Sequence, residues 1–228
     1  MTRNVPWVLL ALTTTRPALA EDDTQLWTTA GVRVELTDDL RTDLSQEIRL
    51  DQAISRTESV LTQLTTTWSI EKWLRLASGY RISREKNNDD RFETKHRLHV
   101  QGSLRSDIGP LTLSYRLWFQ DEMEADEELE FTPKLRNRIK AEYDTTTSLS
   151  PGLMAESFTL LEQDERFTLE KLRLTGGMEL QPDGPHSFEV FYRLQVPMED
   201  PGDPLDHIIG LEYQYQAPRN KDESQEAS

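Results

Sequence analysis

His207-Ile208-Ile209-Gly210-Leu211-Glu212-Tyr213-Gln214-Tyr215-Gln216-Ala217 is the stretch on which the fold turns. Ile209, Leu211, Tyr213, Tyr215 and Ala217 occupy one parity, and Ile208, Gly210, Glu212, Gln214 and Gln216 the other. Side chains of a β-strand point alternately to opposite faces, so this spacing predicts a strand with one apolar and one largely polar face. The paired aromatics come close to the C-terminus, and the pattern is not isolated.

The same alternation recurs upstream. Leu26–Leu36 sets Leu26, Thr28, Ala30, Val32, Val34 and Leu36 against Arg33 and Glu35, and Leu40–Leu50 sets Leu44, Ile48 and Leu50 against Arg41, Asp43, Glu47 and Arg49. Val60–Ile70, Leu74–Ile82, Phe92–Leu104, Leu111–Gln120, Lys134–Tyr143 and Phe188–Val196 follow the same rule. Residues 152–161 and 167–180 read as strands without a legible facing.

Alternation alone does not say which face points inward, because a soluble sandwich alternates too. Three features point the apolar face outward, toward lipid. The segments run 9–13 residues, longer than ordinary globular strands and matching the length needed to cross a bilayer at a tilt. The nine clear apolar faces carry no Asp, Glu, Lys or Arg; one Arg or Lys at the midplane would cost about 2–4 kcal/mol. The polar faces carry both signs: Arg33, Arg49, Arg75, Arg97, Arg116, Arg136, Arg138 and Arg193, with Glu35, Glu47, Glu93, Glu142 and Glu189. That set predicts a charge network inside a barrel, filling a narrow lumen in preference to lining an open pore. Trp27 and Trp118 fall on the same inward side.

The ends agree with export. Residues 1–20 have the form of a secretory signal, with Arg3, an apolar run Val5–Leu12, and Ala18-Leu19-Ala20 as the cleavage site. Residues 21–217 form the barrel domain, and 218–228 a polar, disordered tail. No other segment approaches the roughly 20 apolar residues of a membrane helix. Cysteine is absent, which excludes disulfides, thiolate metal sites and a lipidated N-terminal cysteine. The net charge is −15, and removing Arg3 and Arg16 with the leader makes it −17. An acidic chain disfavours nucleic acid as a partner. No cofactor motif is present.

The connections alternate too, with short ones near Asp38-Asp39, Glu71-Lys72, Asp107–Pro110, Thr145–Pro151 and Pro182–Pro185, and longer ones at 83–91, 121–132 and 197–206. Short turns on one rim and long loops on the other characterise outer-membrane barrels. The expected fold is therefore all-β, a single-chain antiparallel transmembrane β-barrel of about 10–12 strands in the outer membrane of a Gram-negative bacterium. Eleven strands are legible. Bacterial single-chain barrels have an even number, so either one segment, within 21–36 or 152–180, stands outside the wall or one strand is unread, giving ten or twelve, with twelve the expectation. Outer-membrane lipids and the barrel-assembly machinery would be its partners.

Chemistry is sparsely signalled. The run 121–130 is dense in carboxylates and suits weak divalent-cation binding through oxygen ligands, but it lacks the glycine-centred spacing of a calcium loop. A solvated acidic loop is the plainer reading. Ser78 and His96 both fall on apolar faces of neighbouring strands, an arrangement open to a lipid-side esterase or deacylase; no orienting acid accompanies them. His99 points inward, His186 sits in a turn and His207 opens the last strand. There is no Gly-x-Ser-x-Gly, His-Glu-x-x-His or phosphate-binding glycine loop.

Several short pieces, in order, bring one family to mind. They are Gln25-Leu26-Trp27, Glu47-Ile48-Arg49, Gly79-Tyr80-Arg81, Tyr115-Arg116-Leu117, Leu135-Arg136-Asn137-Arg138, Glu156-Ser157-Phe158, Arg173 with Gly176-Gly177, and His207-Ile208-Ile209-Gly210-Leu211. The chain resembles the bacterial outer-membrane barrels catalogued as domain of unknown function 2490. That resemblance implies a barrel and no assigned activity. The aromatic ending that barrels usually show is followed here by Pro218–Ser228. Three functions stay open: a non-enzymatic barrel, structural or a narrow channel; a lipid-modifying enzyme using Ser78 and His96; and a soluble periplasmic β-protein that binds an apolar ligand inside.

Overall fold

The computed structural model describes residues 22–219 apart from 88, 125–131, 146–147, 162–166 and 200–201. The signal segment 1–20 and residues 220–228 of the tail lie outside the described residues.

The described residues form eleven strands: β1 Asp23–Glu35, β2 Leu40–Asp51, β3 Arg56–Glu71, β4 Leu74–Lys86, β5 Phe92–Ile108, β6 Leu111–Glu124, β7 Thr132–Tyr143, β8 Leu149–Leu161, β9 Phe167–Leu180, β10 His186–Pro197 and β11 Asp206–Ala217. Each pairs with its sequence neighbours, and β11 closes on β1, so the sheet is a barrel without edges. Closure satisfies every strand edge with another strand.

Among the described residues the barrel has eleven strands, where twelve were expected. An odd count has a topological consequence. Strands in a meander reverse direction at each step, so the eleventh runs the same way as the first. The β1–β11 seam is accordingly parallel, with Asp23 opposite Asp206 and Val34 opposite Ala217. Nine further pairings are hairpin steps of the antiparallel kind, as is β1–β2. The two ends of the sheet therefore lie on opposite rims: Asp23 beside Leu205, and Gln216 beside Pro185.

At the short-turn rim β1 is joined to β2, β3 to β4, β5 to β6, β7 to β8 and β9 to β10; at the longer-loop rim β2 is joined to β3, β4 to β5, β6 to β7, β8 to β9 and β10 to β11. The loops expected at 83–91, 121–132 and 197–206 are shorter than the sequence suggested, because β4, β6 and β10 extend into them. At the short-turn rim the start of the tail folds back, and Arg219 pairs with Asp38.

The facing is as the charge-free stripes require. Val32, Leu44, Leu64, Leu76, Leu98, Val100, Leu117, Ile139, Leu153, Leu174, Val190 and Leu211 are exposed on the outer surface. Buried positions are mostly polar, with Trp27, Leu61, Trp118, Phe158, Phe191 and Ile208 the only buried hydrophobics among the described residues. The molecule thus inverts the usual distribution of a soluble protein, where large apolar side chains go inside.

Polar groups on the outer face are matched across strands. Tyr80 Oη meets His96 Nδ1 at 2.5 Å, Tyr192 Oη meets His207 Nδ1 at 2.6 Å, and Tyr213 Oη meets His186 Nδ1 at 2.9 Å. Tyr115 Oη donates to Asn137 Oδ1 at 2.7 Å. Each joins residues on adjacent strands, where diagonal neighbours lie within reach of aromatic side chains.

Candidate functional site: the charged lumen

The inward positions of the strands build a charged interior around a cavity of about 600 Å³. Its centre is Glu156 on β8, only 5 % exposed. Arg136 Nη2 donates to Glu156 Oε1 at 3.0 Å, Arg116 Nη2 does so at 3.4 Å, and Arg173 Nη1 stands 4.0 Å from Oε2. One carboxylate has four lone-pair sites, so it can serve several guanidinium groups at once.

Aromatic rings layer the same level. Arg116 and Arg136 lie 4.5 and 4.3 Å from the ring of Trp118. Arg136 and Arg173 both lie 4.5 Å from the ring of Phe158. Arg49 covers Trp27 at 3.9 Å, and Arg193 covers Phe191 at 4.5 Å. A guanidinium over an aromatic face gains about 0.5–2 kcal/mol, more as water is excluded. His99 packs on Trp118 with ring centroids 4.5 Å apart.

Space for these rings comes from glycines. A Cβ on Gly210 would lie 1.9 Å from Phe191 Cζ, and one on Gly79 would lie 2.5 Å from both His99 Cε1 and the Leu64 carbonyl. Thus Gly79 and Gly210 admit His99 and Phe191 to the interior.

Toward the longer-loop rim the charges form balanced pairs. Arg97 pairs with Glu122, Lys95 Nζ reaches Glu124 at 2.9 Å, and Lys134 Nζ reaches Glu170 at 2.7 Å. At the rim itself Arg56 holds Asp51 at 2.5 Å and Asp90 at 2.7 Å, while Lys86 Nζ reaches Asp90 at 3.4 Å. Bonds from Lys86 and then Arg56 keep the exposed Asp90 carboxyl below its ordinary pKa.

Of the thirteen charged residues expected inside, Arg33, Glu47, Arg49, Arg97, Arg116, Arg136, Arg138 and Arg193 line the large cavity, and Arg75 and Glu142 line a smaller one. Arg49 pairs with Glu47 at 2.5 Å, and Glu142 with Lys140 at 2.8 Å. Arg33 instead takes Asp43 at 2.6 Å, and Glu93 accepts from Asn87 at 2.5 Å. Arg75, Arg138, Arg193, Glu35 and Glu189 have no ion pair within the described residues.

Glu156, Arg173 and Glu122 were missed. The hub was illegible because β8 and β9 break the alternation: Met154, Phe158 and Gly177 point inward while Ser157 points outward. The signals available were the direct opposition of Glu156 to Arg138 and to Arg173, which need a register to be seen.

Two other expectations change. Ser78 is opposite Val100 and His96 is opposite Ile82, so the register holds them four residues apart, about 13 Å along the strands. His96 is bonded to Tyr80 instead. An apolar ligand inside also finds no matching wall, since the large cavity is lined by charged side chains. As for the acidic run, Glu122 and Glu124 belong to β6 and are paired with Arg97 and Lys95; residues 125–130 lie outside the described residues. No cluster of three or more metal-binding side chains occurs among the described residues.

No curated protein matches the chain. A family model described as a protein of unknown function (DUF2490) matches residues 24–204, from the first strand through the connection that leads into β11, so ten of the eleven strands and the Glu156 hub lie inside the match. The chain therefore belongs to the family of proteins catalogued as domain of unknown function 2490.

Proposed function

We propose that this protein is an outer-membrane β-barrel, delivered by a cleaved leader, whose interior is obstructed at mid-height by the Glu156 hub and its arginine–aromatic layer. Its role is structural, or that of a very narrow channel, and not catalytic. The observation that carries the reading is the inversion: a ring of exposed Leu, Ile, Val and aromatic side chains outside, and a charged interior within.

A 12-residue strand, such as β2 or β11, rises about 30 Å at a tilt of roughly 40°, enough for a bilayer's hydrocarbon core. In water such a surface would be an aggregation hazard; in lipid it is the solvent-matched face. Trp68, Trp73, Tyr143, Phe188, Tyr213 and Tyr215 crowd the short-turn rim, and Phe92 and Phe167 stand at the other. Aromatics at both levels suit the two membrane interfaces.

The barrel-assembly machinery and lipid are its partners in this reading. A divalent cation at 121–130 has less support, since Glu122 and Glu124 are already paired. An enzymatic role has less support as well, because the register separates Ser78 from His96.

Fractionation with heat-dependent gel mobility tests membrane residence: recovery of soluble periplasmic protein would end the proposal. Planar-bilayer recording tests the obstruction. Wild type should give little or no single-channel conductance, and large, steady open steps would show the lumen to be free.

A further inference from the structure

Below the aromatic layer, at the short-turn mouth, lies a separate cavity of about 340 Å³. Seven cationic side chains line it, among them Arg75, Arg116 and Arg138, against one carboxylate, Glu142. Glu142 is already paired with Lys140 at 2.8 Å. Asp43, just outside the cavity, serves Arg33 and Arg41 at 2.6 and 3.5 Å, and Asp107 serves Arg105 at 3.1 Å.

What remains is a row. Arg75 is opposite Ser103, Ser103 is opposite Arg116, and Arg116 is opposite Arg138. Three inward arginines and a hydroxyl thus sit side by side on β4, β5, β6 and β7, with neighbouring strands about 4.8 Å apart. Like charges directly opposite on adjacent strands are destabilising, and water-shielded walls of one sign focus their field on whatever enters.

These guanidinium groups are short of acceptors. The Nε atoms of Arg75 and Arg116 are buried without a hydrogen-bond partner, and Arg138 has neither hydrogen bond nor ion pair within the described residues. Arg116 shares Glu156 with Arg136, which is closer. The acidic pair Glu189 and Glu212, opposite one another on β10 and β11, stands three to five strands round the barrel from Arg116 and Arg138. On its far side the row ends at Glu156, directly opposite Arg138 on β8, whose oxygens already serve Arg136, Arg116 and Arg173, so Arg75 and Arg138 keep unmatched charge.

We propose that this chamber binds a small oxyanion, a phosphate or carboxylate group, between Arg75, Arg116 and Arg138, with the Ser103 hydroxyl as a further donor. Planar guanidinium forks match both groups. The proposal deepens the barrel reading by naming what the short-turn mouth admits, and it rests on the interior geometry alone.

The test is calorimetric titration of the mature barrel, folded in a nonionic detergent at low ionic strength, with inorganic phosphate and with succinate. Saturable one-to-one binding of either probe is expected. A hydrogen-bonded ion contact is worth about 1.5–3 kcal/mol, so Arg75→Gln and Arg138→Gln should each weaken it about tenfold or more. Lys134→Gln, at the other mouth, should leave it unchanged. Arg75 is near the rim, so its variant tests the site even if Arg138→Gln does not fold. Absence of saturable binding to wild type, or an affinity unchanged by Arg75→Gln, overturns the proposal. Because detergent replaces the membrane, neither result bears on where the barrel resides.

Discussion

Replacing Glu156 by Gln should cost more than any other single isosteric change in the lumen. Three guanidinium groups meet this carboxylate at 3.0, 3.4 and 4.0 Å. At an effective dielectric constant of 20, each pair is worth about 4–6 kcal/mol before desolvation. Burying the charges cancels most of that sum. The cost of breaking such a site is set by the arginines left behind, about 3–5 kcal/mol when one partner of a buried pair is removed. Gln keeps the shape and one acceptor oxygen, which recovers about 1 kcal/mol, so a loss of about 3 kcal/mol is expected. Trp27 and Trp118 lie inside and Trp68 and Trp73 outside. Urea unfolding in a Trp68→Phe, Trp73→Phe background would therefore report the interior alone. Truncating Arg173 to Met in the Glu156→Gln protein should recover part of the loss, with a coupling of about 1 kcal/mol or more. A loss below about 1 kcal/mol for Glu156→Gln would refute the hub.

Gly210→Ala should destabilise the barrel by about 1–3 kcal/mol through overpacking, because its Cβ would meet the Phe191 ring at 1.9 Å. Phe191→Leu in the same chain should restore part of that, and equal stability of the single and double variants would count against the fit. Asp90 should titrate below the ordinary aspartate value of about 3.9, since Lys86 and Arg56 stabilise its charged form. With the folded pKa depressed, its contribution is present above the ordinary range and fades as pH falls through the folded pKa; an NMR titration whose midpoint does not rise in Lys86→Ala would contradict this. Ser78→Ala should leave any esterase or deacylase activity of the purified barrel unchanged, and loss of such activity would revive the enzyme reading.

Strand existence and facing were legible where each face had one character. Leu111, Leu113, Tyr115, Leu117 and Phe119 against Arg116 and Trp118 needed no structure to interpret, because a period of two sends each set to its own side. β8 resisted for a physical reason. A lumen this narrow accepts Gly152, Met154 and Phe158 beside Glu156, and the outer face tolerates Ser157 and Thr159 next to their cross-strand neighbours, so neither side is chemically pure. The hub sits in that ambiguous segment. The Ser78–His96 idea failed on register, which alternation cannot supply: two residues on one face of adjacent strands may be opposite or a barrel's half-height apart.

Local patterning thus determined by itself that the chain is built of strands, that their charge-free faces are a set, and that the arginines share the opposite side. Those facts follow from each residue's neighbours two positions away. Strand number parity, the parallel β1–β11 seam, the convergence of Arg116, Arg136 and Arg173 on Glu156, and the Arg75–Ser103–Arg116–Arg138 row were decided only by closure. Closing a sheet fixes every register at once and brings β11 beside β1, a relation between residues up to 185 positions apart that no local period encodes.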